Sequence, residues 1–497
     1  MRFERSFGVL MHPTSLPGRH GIGDLGENAY KFMDYLFECG AKLWQVMPLG
    51  PTGFGDSPYA CFSAIAGNPL LISPEKLIEM GLISASEIPA SGAALPENYV
   101  DFGPAINYKY EIYKIAYKNF KASKMPQSVR VGFEAFRNDN SAWLIDYAMF
   151  MALKDKHNGA VWSTWDHAVV KRENAALQKV RTDLKDQIEF YEFLQFLFFK
   201  QWNELKEYAN KKGIKIIGDI PIFVAYDSAD VWANPGIFYL DENGRSTVVA
   251  GVPPDFFSET GQLWGNPLYN WDILKKRKFD WWIKRFNETL KIVDILRIDH
   301  FRGFEAYWEV GAGEKTAIKG KWIKAPGMEL FKAVNDALHK APIIAEDLGV
   351  ITPEVEAIRD AYNFPGMKIL QFAFGDDSKN KFLPHNFCQN CVVYTGTHDN
   401  ETTAGWFKNL CSKERASVLD YIGTTGENIH WDMIKLAISS TADIAIIPVQ
   451  DIIGAGDEGR MNTPGKAAGN WGYRFKFEQL NNGSDSKLMK LCKTYNR

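Results

Sequence analysis

The chain has 497 residues, a formal net charge of -3 at pH 7 from 57 basic and 60 acidic side chains, and 14% aromatic residues. This near balance of charge excludes the strong attraction on which nucleic-acid and anionic-membrane binding depends, so we expect neither partner. The length suffices for one large α/β domain with insertions, or for two or three smaller domains.

The first residues, MRFERSFGVLMHP, contain an early glutamate and only a short apolar run, unlike a secretory signal. No apolar run in the sequence has the length of a membrane span. The cysteines, at positions 39, 61, 388, 391, 411 and 492, are scattered, which is typical of free thiols in a reducing compartment. We therefore expect a cytoplasmic protein.

Eight short apolar runs bounded by turn residues predict the buried strands of a parallel sheet. In chain order they are GVLM (8–11), KLWQVMP (42–48), IKIIGDIP (214–221), VDILRID (293–299), PIIAED (342–347), MKILQFA (367–373), CVVYTGTHD (391–399) and DIAIIPVQD (443–451). Amphipathic segments of helical period, such as ENAYKFMDYLFECG, separate most of them. This alternation favours an α/β fold of the (β/α)8 barrel type, although a doubly wound open sheet produces the same pattern.

Two intervals are too long for simple crossovers between strands. Residues 70–213 contain the helical patterns AWLIDYAMFMALKDKH and IEFYEFLQFLFFKQWNELKEYANKKG, and predict a helical insertion after the second strand. Residues 222–278, after the third strand, include GVPPDFFSETGQLWGNPLYNW, whose aromatic content indicates an ordered functional loop. We expect a single catalytic barrel over residues 1–497 with these two insertions.

Acidic residues end five of the predicted strands, and in a barrel the carboxyl ends of the strands carry the catalytic groups. These acids are Asp219, Asp299, the adjacent Glu346 and Asp347, Asp399 and Asp451. Because side chains alternate along a strand, Arg297 shares a face with Asp299, and its guanidinium favours the ionised carboxylate. This pair fits a catalytic nucleophile and, equally, a buried structural ion pair.

The remaining acids carry weaker signals. One of Glu346 and Asp347 should face the barrel interior, but the pattern does not say which, and either fits helix capping or pairing with a neighbouring strand. His398 and Asp399 lie where a helix could begin, so both also fit structural roles.

The pair Cys388 and Cys391 has C-x-x-C spacing, but no second Cys or His pair of zinc-site spacing accompanies it. Chance is therefore the preferred interpretation, ahead of a redox or metal role. No phosphate-binding, zinc-protease or serine-hydrolase motif is present in the sequence. We expect neither a metal nor a cofactor.

Seven motifs, in order along the chain, resemble those of glycoside hydrolase family 77, whose members are amylomaltases, or 4-α-glucanotransferases. They are GPTGFGDSPYACFSAIAGNP (50–69), GDIPIFVAYDSADVW (218–232), GVPPDFFSETGQLWGNPLYNW (251–271), LRIDHFRGF (296–304), IIAEDLG (343–349), GTHDNETT (396–403) and RMNTPG (460–465). The resemblance implies a (β/α)8 barrel with insertions and no C-terminal β-domain. It also implies that the partners are α-1,4-glucans and maltooligosaccharides, with glucose as an acceptor.

The resemblance further implies roles for single residues in a retaining transfer. Asp299 is implied to be the nucleophile, Glu346 rather than Asp347 the general acid and base, and Asp399 the stabiliser of the transition state. The candidate sugar-binding residues are Arg297, His398, Asp219, Tyr59, Phe256, Phe257, Trp264, Phe54 and Asn462. We hypothesise that the 251–271 loop covers the covalent intermediate and excludes water from it.

Two other functions are compatible with the same acids. A retaining α-glucan hydrolase would differ only in its acceptor, and a catalytically silent glucan-binding protein would use the same groove. An aldolase-like barrel would need a Schiff-base lysine or a metal cluster at the strand ends, and the motifs indicate neither. Longer maltooligosaccharides formed from maltotriose would distinguish transfer from hydrolysis.

Overall fold

Twelve strands form in residues 2–122, 125–254 and 258–497, the part of the chain that the computed structural model describes. In chain order they are β1 (Ser6–Leu10), β2 (Leu43–Gln45), β3 (Lys215–Pro221), β4 (Val248–Val252), β5 (Gln262–Pro267), β6 (Ile295–Asp299), β7 (Ala306–Gly311), β8 (Gly320–Lys324), β9 (Ile343–Ala345), β10 (Gly366–Ile369), β11 (Cys391–Tyr394) and β12 (Ile444–Pro448).

Eight of these strands pair in parallel, in the order β10-β11-β12-β1-β2-β3-β6-β9. The two ends of this order also meet, because the Ala345 N–H donates a hydrogen bond to the Pro365 carbonyl at 3.0 Å. The eight predicted apolar runs therefore form the expected (β/α)8 barrel. In the described segment 449–497, no strand follows β12, so the expectation of no C-terminal β-domain holds there.

Eighteen helices occur in the same described ranges. They are α1 (Glu27–Glu38), α2 (Pro74–Glu79), α3 (Phe102–Lys121), α4 (Gln127–Asp139), α5 (Ser141–Lys156), α6 (His167–Val170), α7 (Asn174–Asp183), α8 (Lys185–Lys211), α9 (Ala229–Ala233), α10 (Trp271–Lys276), α11 (Asp280–Ile292), α12 (Gly327–Leu338), α13 (Pro353–Ala361), α14 (Thr403–Asn409), α15 (Ser412–Ile422), α16 (Ile429–Ser439), α17 (Val449–Ile453) and α18 (Ser484–Tyr495). Among the described residues, none of these helices is both long and apolar enough to span a membrane.

Helices α2 to α8 lie between β2 and β3. A parallel connection needs only one crossover helix, so we propose that residues 70–213 are an insertion into the barrel. Its core is aromatic: Phe193 of α8 lies 4.8 Å from Phe120 of α3 and 6.2 Å from Phe133 of α4, measured between ring centroids.

The barrel interior is filled by alternate side chains of the parallel strands. Ile217 of β3, Ile295 of β6 and Ile344 of β9 belong to one buried cluster inside the barrel. The intervening residues, such as Leu296 of β6, pack against the helices instead. This alternation decides which polar side chains at the strand ends point into the barrel mouth.

A second, antiparallel sheet was not predicted from the sequence. Its order is β5-β4-β7-β8, and its first two strands come from the interval 222–278. Gly251 of β4 is needed there, because a Cβ atom would lie 2.7 Å from the carbonyl oxygen of Gln262 on β5. Residues 251–252 and 262–267 of the segment 251–271 thus lie in paired strands, where we expected a loop. We propose that residues 222–278 are a second insertion.

Candidate active site

Arg297 joins two carboxylates at the mouth of the barrel. Its Nη1 atom lies 2.5 Å from Asp219 Oδ2 and 3.0 Å from Asp299 Oδ1. The strand register places Asp219 of β3 directly opposite Arg297 of β6. Both carboxylates therefore share one guanidinium, so the structural ion pair and the candidate catalytic pair are parts of one cluster.

The two carboxylates of this cluster differ in their surroundings. The side chain of Asp219 is 1% exposed and accepts a hydrogen bond from the Tyr59 hydroxyl at 2.8 Å. Burial raises the pKa of Asp219 to about 6, although the charge of Arg297 opposes this shift. The side chain of Asp299 is 31% exposed and faces the groove, so of the two it is the one that a substrate can reach.

Glu346 lies at the same level as Asp299 on the neighbouring strand. Ile298 pairs with Ala345, so the residues that follow them in β6 and after β9 are side by side. The carboxyl oxygens of Glu346 accept the N–H groups of His300 at 2.6 Å and Leu348 at 2.8 Å.

Burial, and then the negative charge of Asp299, raise the pKa of Glu346 to about 8, whereas Arg297 lowers it. The carboxyl group of Glu346 therefore holds its proton at neutral pH. A protonated acid beside a carboxylate paired with a cation is an arrangement suited to general acid catalysis with a separate nucleophile.

Strand alternation separates the adjacent acids that the sequence pattern left unresolved. Ile344 points into the barrel, so Glu346 does too, whereas Asp347 points outward on the side of Ile343. Asp347 pairs with Arg359 of α13 at 2.6 Å and accepts the N–H of Met367 in β10 at 2.7 Å. It thus stabilises the junction of β9 and β10 and takes no part in the cluster at the mouth.

Asp399 lies in the loop between β11 and α14. Its Oδ1 atom accepts a hydrogen bond from Asn462 Nδ2 at 2.6 Å and lies 3.4 Å from His398 Nε2. Arg460 Nη2 donates to the Asp399 carbonyl at 2.9 Å, so the RMNTPG segment orients this loop. The Asp399 side chain is 46% exposed, and it lines the same groove as Asp299.

Asp451 ends the last predicted strand run but does not reach the groove. Its carboxylate accepts hydrogen bonds from the Thr395 hydroxyl at 2.5 Å and from the Thr403 hydroxyl and N–H at 2.8 and 2.7 Å. These partners flank the loop that carries Asp399. Asp451 therefore positions the loop.

Aromatic rings form part of the wall of the groove, which has a volume of about 790 Å³. Tyr59 stacks on His398 with 5.2 Å between ring centroids, and Trp471 lies 5.9 Å from His398. Phe54 is 83% exposed on the rim, so it does not serve in loop packing. These rings offer flat apolar faces to a sugar.

Trp264 lies on β5, at the edge of the groove, and is 38% exposed. Its ring contacts the ring of His300 edge-on, with 4.9 Å between centroids. Two further predicted contacts, Phe256 and Phe257, lie outside the described residues. The wall near Asp299 is therefore a strand of the antiparallel sheet.

Four residues of the site were missed in the sequence. His300 has a left-handed φ of 52°, which directs its N–H at Glu346, and burial lowers its ring pKa to about 4. Trp471 also has a positive φ, of 65°, and the glycines around it in GNWG were a usable signal. Lys154 Nζ lies 2.6 Å from Asp227 Oδ2, and both residues line the groove. They gave no signal because Lys154 lies in helix α5 of the insertion, whereas Asp227 follows β3, 73 residues further along the chain.

His20, Asp24 and Glu75 are spaced closely enough to hold a metal ion. However, Asp24 already pairs with the buried Lys109 at 2.9 Å, and Glu75 pairs with Arg19 at 3.1 Å. None of the three is among the described residues that line the groove. The group is therefore better described as an ion-pair network than as a metal centre.

The whole chain is similar to known proteins. The family model described as 4-alpha-glucanotransferase matches residues 11–480. A 4-alpha-glucanotransferase of Synechocystis sp. is 52% identical over 498 residues, covering 99% of this chain and 98% of the relative. The one of Thermus thermophilus is 48% identical over 505 residues, covering 100% of both. An amylomaltase from Streptococcus agalactiae, solved with acarbose, has a TM-score of 0.96 at 42% identity, covering 99% of this chain and 100% of that one.

We expect Glu346→Gln to gain stability relative to the native protein as the pH rises. The folded pKa of Glu346, about 8, lies above its ordinary value. The stability that this group contributes is therefore fully present below the ordinary pKa and is lost as the pH rises through the folded pKa. Glutamine does not ionise. The free energies of unfolding of the two proteins, measured by urea denaturation between about pH 5 and pH 9, should therefore diverge in favour of the variant.

The pH dependence is the test, because an amide nitrogen facing the N–H of His300 or Leu348 adds a penalty at every pH. Glu242, whose side chain is exposed, provides the control. Its change to glutamine should give a curve parallel to that of the native protein. A parallel curve for Glu346→Gln as well would contradict a buried, protonated carboxyl group.

Proposed function

This chain belongs to the 4-alpha-glucanotransferase family, glycoside hydrolase family 77, and we propose that Asp299, Glu346 and Asp399 perform its chemistry. The enzyme transfers segments of α-1,4-glucans between maltooligosaccharides with retention of configuration. The observation that carries the assignment of residues is the burial of Glu346 beside Asp299, whose carboxylate pairs with Arg297; this position raises the pKa of Glu346.

In the first step, Glu346 donates its proton to the glycosidic oxygen while a carboxylate oxygen of Asp299 attacks C1 of the donor sugar. The C1–O bond to the leaving glucan breaks, and that glucan departs with a new 4-hydroxyl group. Asp299 is then a β-linked glycosyl ester. The positive charge of Arg297, at 3.0 Å, stabilises the attacking carboxylate before this bond forms.

The second step reverses the roles of the groups. Esterification removes the negative charge of Asp299, which is a cause of the raised pKa of Glu346. The pKa of Glu346 therefore falls, and Glu346 remains a carboxylate after it has given up its proton. It accepts the proton of the acceptor's 4-hydroxyl, whose oxygen attacks C1 and releases Asp299. The product has a new α-1,4 bond.

We assign Asp399 to sugar binding, and Asp219 and Tyr59 to the orientation of Arg297. Asp399 is held by Asn462 at 2.6 Å and exposes nearly half of its side chain, so its free oxygen can accept sugar hydroxyls. Its negative charge favours the oxocarbenium-like transition state. Asp219 and Tyr59, which are hydrogen-bonded to each other, orient Arg297.

Glucose as well as maltooligosaccharides can act as the acceptor, because the second step needs only one sugar ring with a free 4-hydroxyl. Transfer prevails over hydrolysis when a bound acceptor has a high effective molarity and the ester is shielded from water. Trp264 at the groove edge supports this shielding. We also propose a cytoplasmic location, since all six cysteines are free.

Incubation with maltotriose tests the function and the nucleophile together. The native enzyme should yield glucose and a ladder of longer maltooligosaccharides, whereas a hydrolase would yield only glucose and maltose. Asp299→Asn should lower kcat by at least about a thousandfold, because no ester can form.

Asp360→Ala is the control for this substitution, because Asp360 is an exposed acid that pairs with Arg359 away from the groove. It should retain the full ladder. Unchanged turnover in Asp299→Asn would refute its role as the nucleophile.

Trp264→Ala should raise the ratio of hydrolysis to transfer, because removing the ring admits water to the ester. Hydrolysis creates new reducing ends and transfer conserves their number, so a reducing-sugar assay beside product chromatography gives the ratio. Trp322→Ala is the matched control: Trp322 lies on β8 of the same sheet and is also 38% exposed, but it is not among the described groove residues. An equal ratio in native and Trp264→Ala proteins would contradict the shielding role.

A further inference from the structure

Cys388 and Cys391 form a tight turn at the amino end of β11. The Cys391 N–H donates to the Gln389 carbonyl at 2.8 Å, and Cys391 Sγ donates to the Cys388 carbonyl at 3.0 Å. The Cys388 thiol in turn donates to the Asn390 carbonyl, with 3.8 Å between Sγ and the oxygen. The C-x-x-C spacing, first interpreted as chance, therefore places both thiols in one turn.

The two thiols differ in their access to solvent. Cys388 is exposed, whereas Cys391 is buried at 1% exposure. An exposed attacking thiol with a buried resolving thiol is the arrangement that two-step thiol–disulfide exchange requires. Cys411 is also exposed, but its sulfur caps helix α15 by accepting the Glu414 N–H at 3.5 Å.

The charges around the turn favour a thiolate at Cys388. Interaction with the Cys391 thiol lowers the pKa of Cys388 to about 6, and the nearby Lys368 and Arg359 act in the same direction against burial. The pKa of Cys391 is raised, first by its interaction with Cys388 and then by burial, and the negative charge of Asp443 acts in the same direction.

We propose that Cys388 and Cys391 are a reversible thiol–disulfide exchange site for small disulfides of the glutathione disulfide class. The Cys388 thiolate attacks one sulfur of the disulfide, which forms a mixed disulfide and releases one thiolate. Cys391 then gives its proton to solvent, attacks Cys388 Sγ and expels the second thiolate. The dithiol thus loses two electrons, and the small disulfide is reduced to two thiols.

The second step becomes easier once the first has occurred. The mixed disulfide removes the Cys388 thiolate, whose interaction with Cys391 is the main cause of the raised pKa of Cys391. Cys391 can then lose its proton more readily and resolve the mixed disulfide.

This site is separate from the proposed catalytic groups. Cys391 begins β11, whereas Asp299 and Glu346 lie at the carboxyl ends of their strands, at the opposite end of the barrel. The turn is also anchored locally, because the Gln389 carbonyl accepts the Asp443 N–H at 2.7 Å before β12. We therefore expect oxidation of the pair to leave glucan transfer unchanged.

The reduced full-length protein, treated with oxidised glutathione near pH 7, provides the test. Intact-mass and peptide analysis should show the loss of two hydrogen atoms and a Cys388–Cys391 disulfide. Cys391→Ser should stop at a glutathione adduct on Cys388, and Cys388→Ser should form neither species. Cys411→Ser is the control and should behave as the native protein does.

Alkylation and activity give independent readouts on the same proteins. Iodoacetamide should label Cys388 about tenfold faster than Cys411 near neutral pH, because of the two only Cys388 has a second thiol in its turn. Maltotriose transfer by the oxidised protein reports whether the fold is intact. The absence of the disulfide, or equal labelling of Cys388 and Cys411, would overturn the proposal.

Discussion

One guanidinium, that of Arg297, faces three acids at the mouth of the barrel. It contacts Asp219 and Asp299 directly, and Glu346 lies beside them without a cation in contact. Because a single positive charge cannot compensate three carboxylates, two of them buried, one acid must keep its proton. Burial and the neighbouring charge of Asp299 place that proton on Glu346. Because Arg297 is the cation that pairs with this cluster, Asp299 is the carboxylate suited to be the nucleophile and Glu346 is the acid.

The other acids at the strand ends support this cluster instead of joining it. Asp347 links β9 to β10 and α13, which maintains the position of Glu346 in the ring of strands. Asp451 ties together the ends of the loop that carries Asp399. The antiparallel sheet adds Trp264 to the edge of the groove. The position of the catalytic groups therefore depends on Asp347 and Asp451, which do not line the groove.

The barrel could be predicted because strands buried on both faces have uninterrupted apolar sequences, and these runs coincide with β6, β11 and β12. The pairing of Arg297 with Asp299 followed from alternation along β6. The strand pattern alone left Glu346 and Asp347 undecided, because a three-residue strand leaves its phase open. The resemblance implied Glu346, and the observed direction of Ile344 places Glu346 toward the barrel interior. The antiparallel sheet was missed because Gly251, Gly261 and Gly265 interrupt the alternation of its hairpin. Lys154 and Asp227 meet only through tertiary packing, which no local pattern reports.

Direct detection of the covalent intermediate tests whether Asp299 attacks C1 of the donor sugar while Glu346 serves as the general acid and base. Glu346→Gln treated with α-maltosyl fluoride should form the ester, because fluoride leaves without protonation, and should then retain it for want of a base. Acid quenching, proteolysis and mass spectrometry would locate the sugar. We expect a maltosyl ester on Asp299, in the peptide that contains LRIDHF. A sugar attached to Asp219 or Asp399, or release of maltose with inverted configuration and no ester, would contradict it.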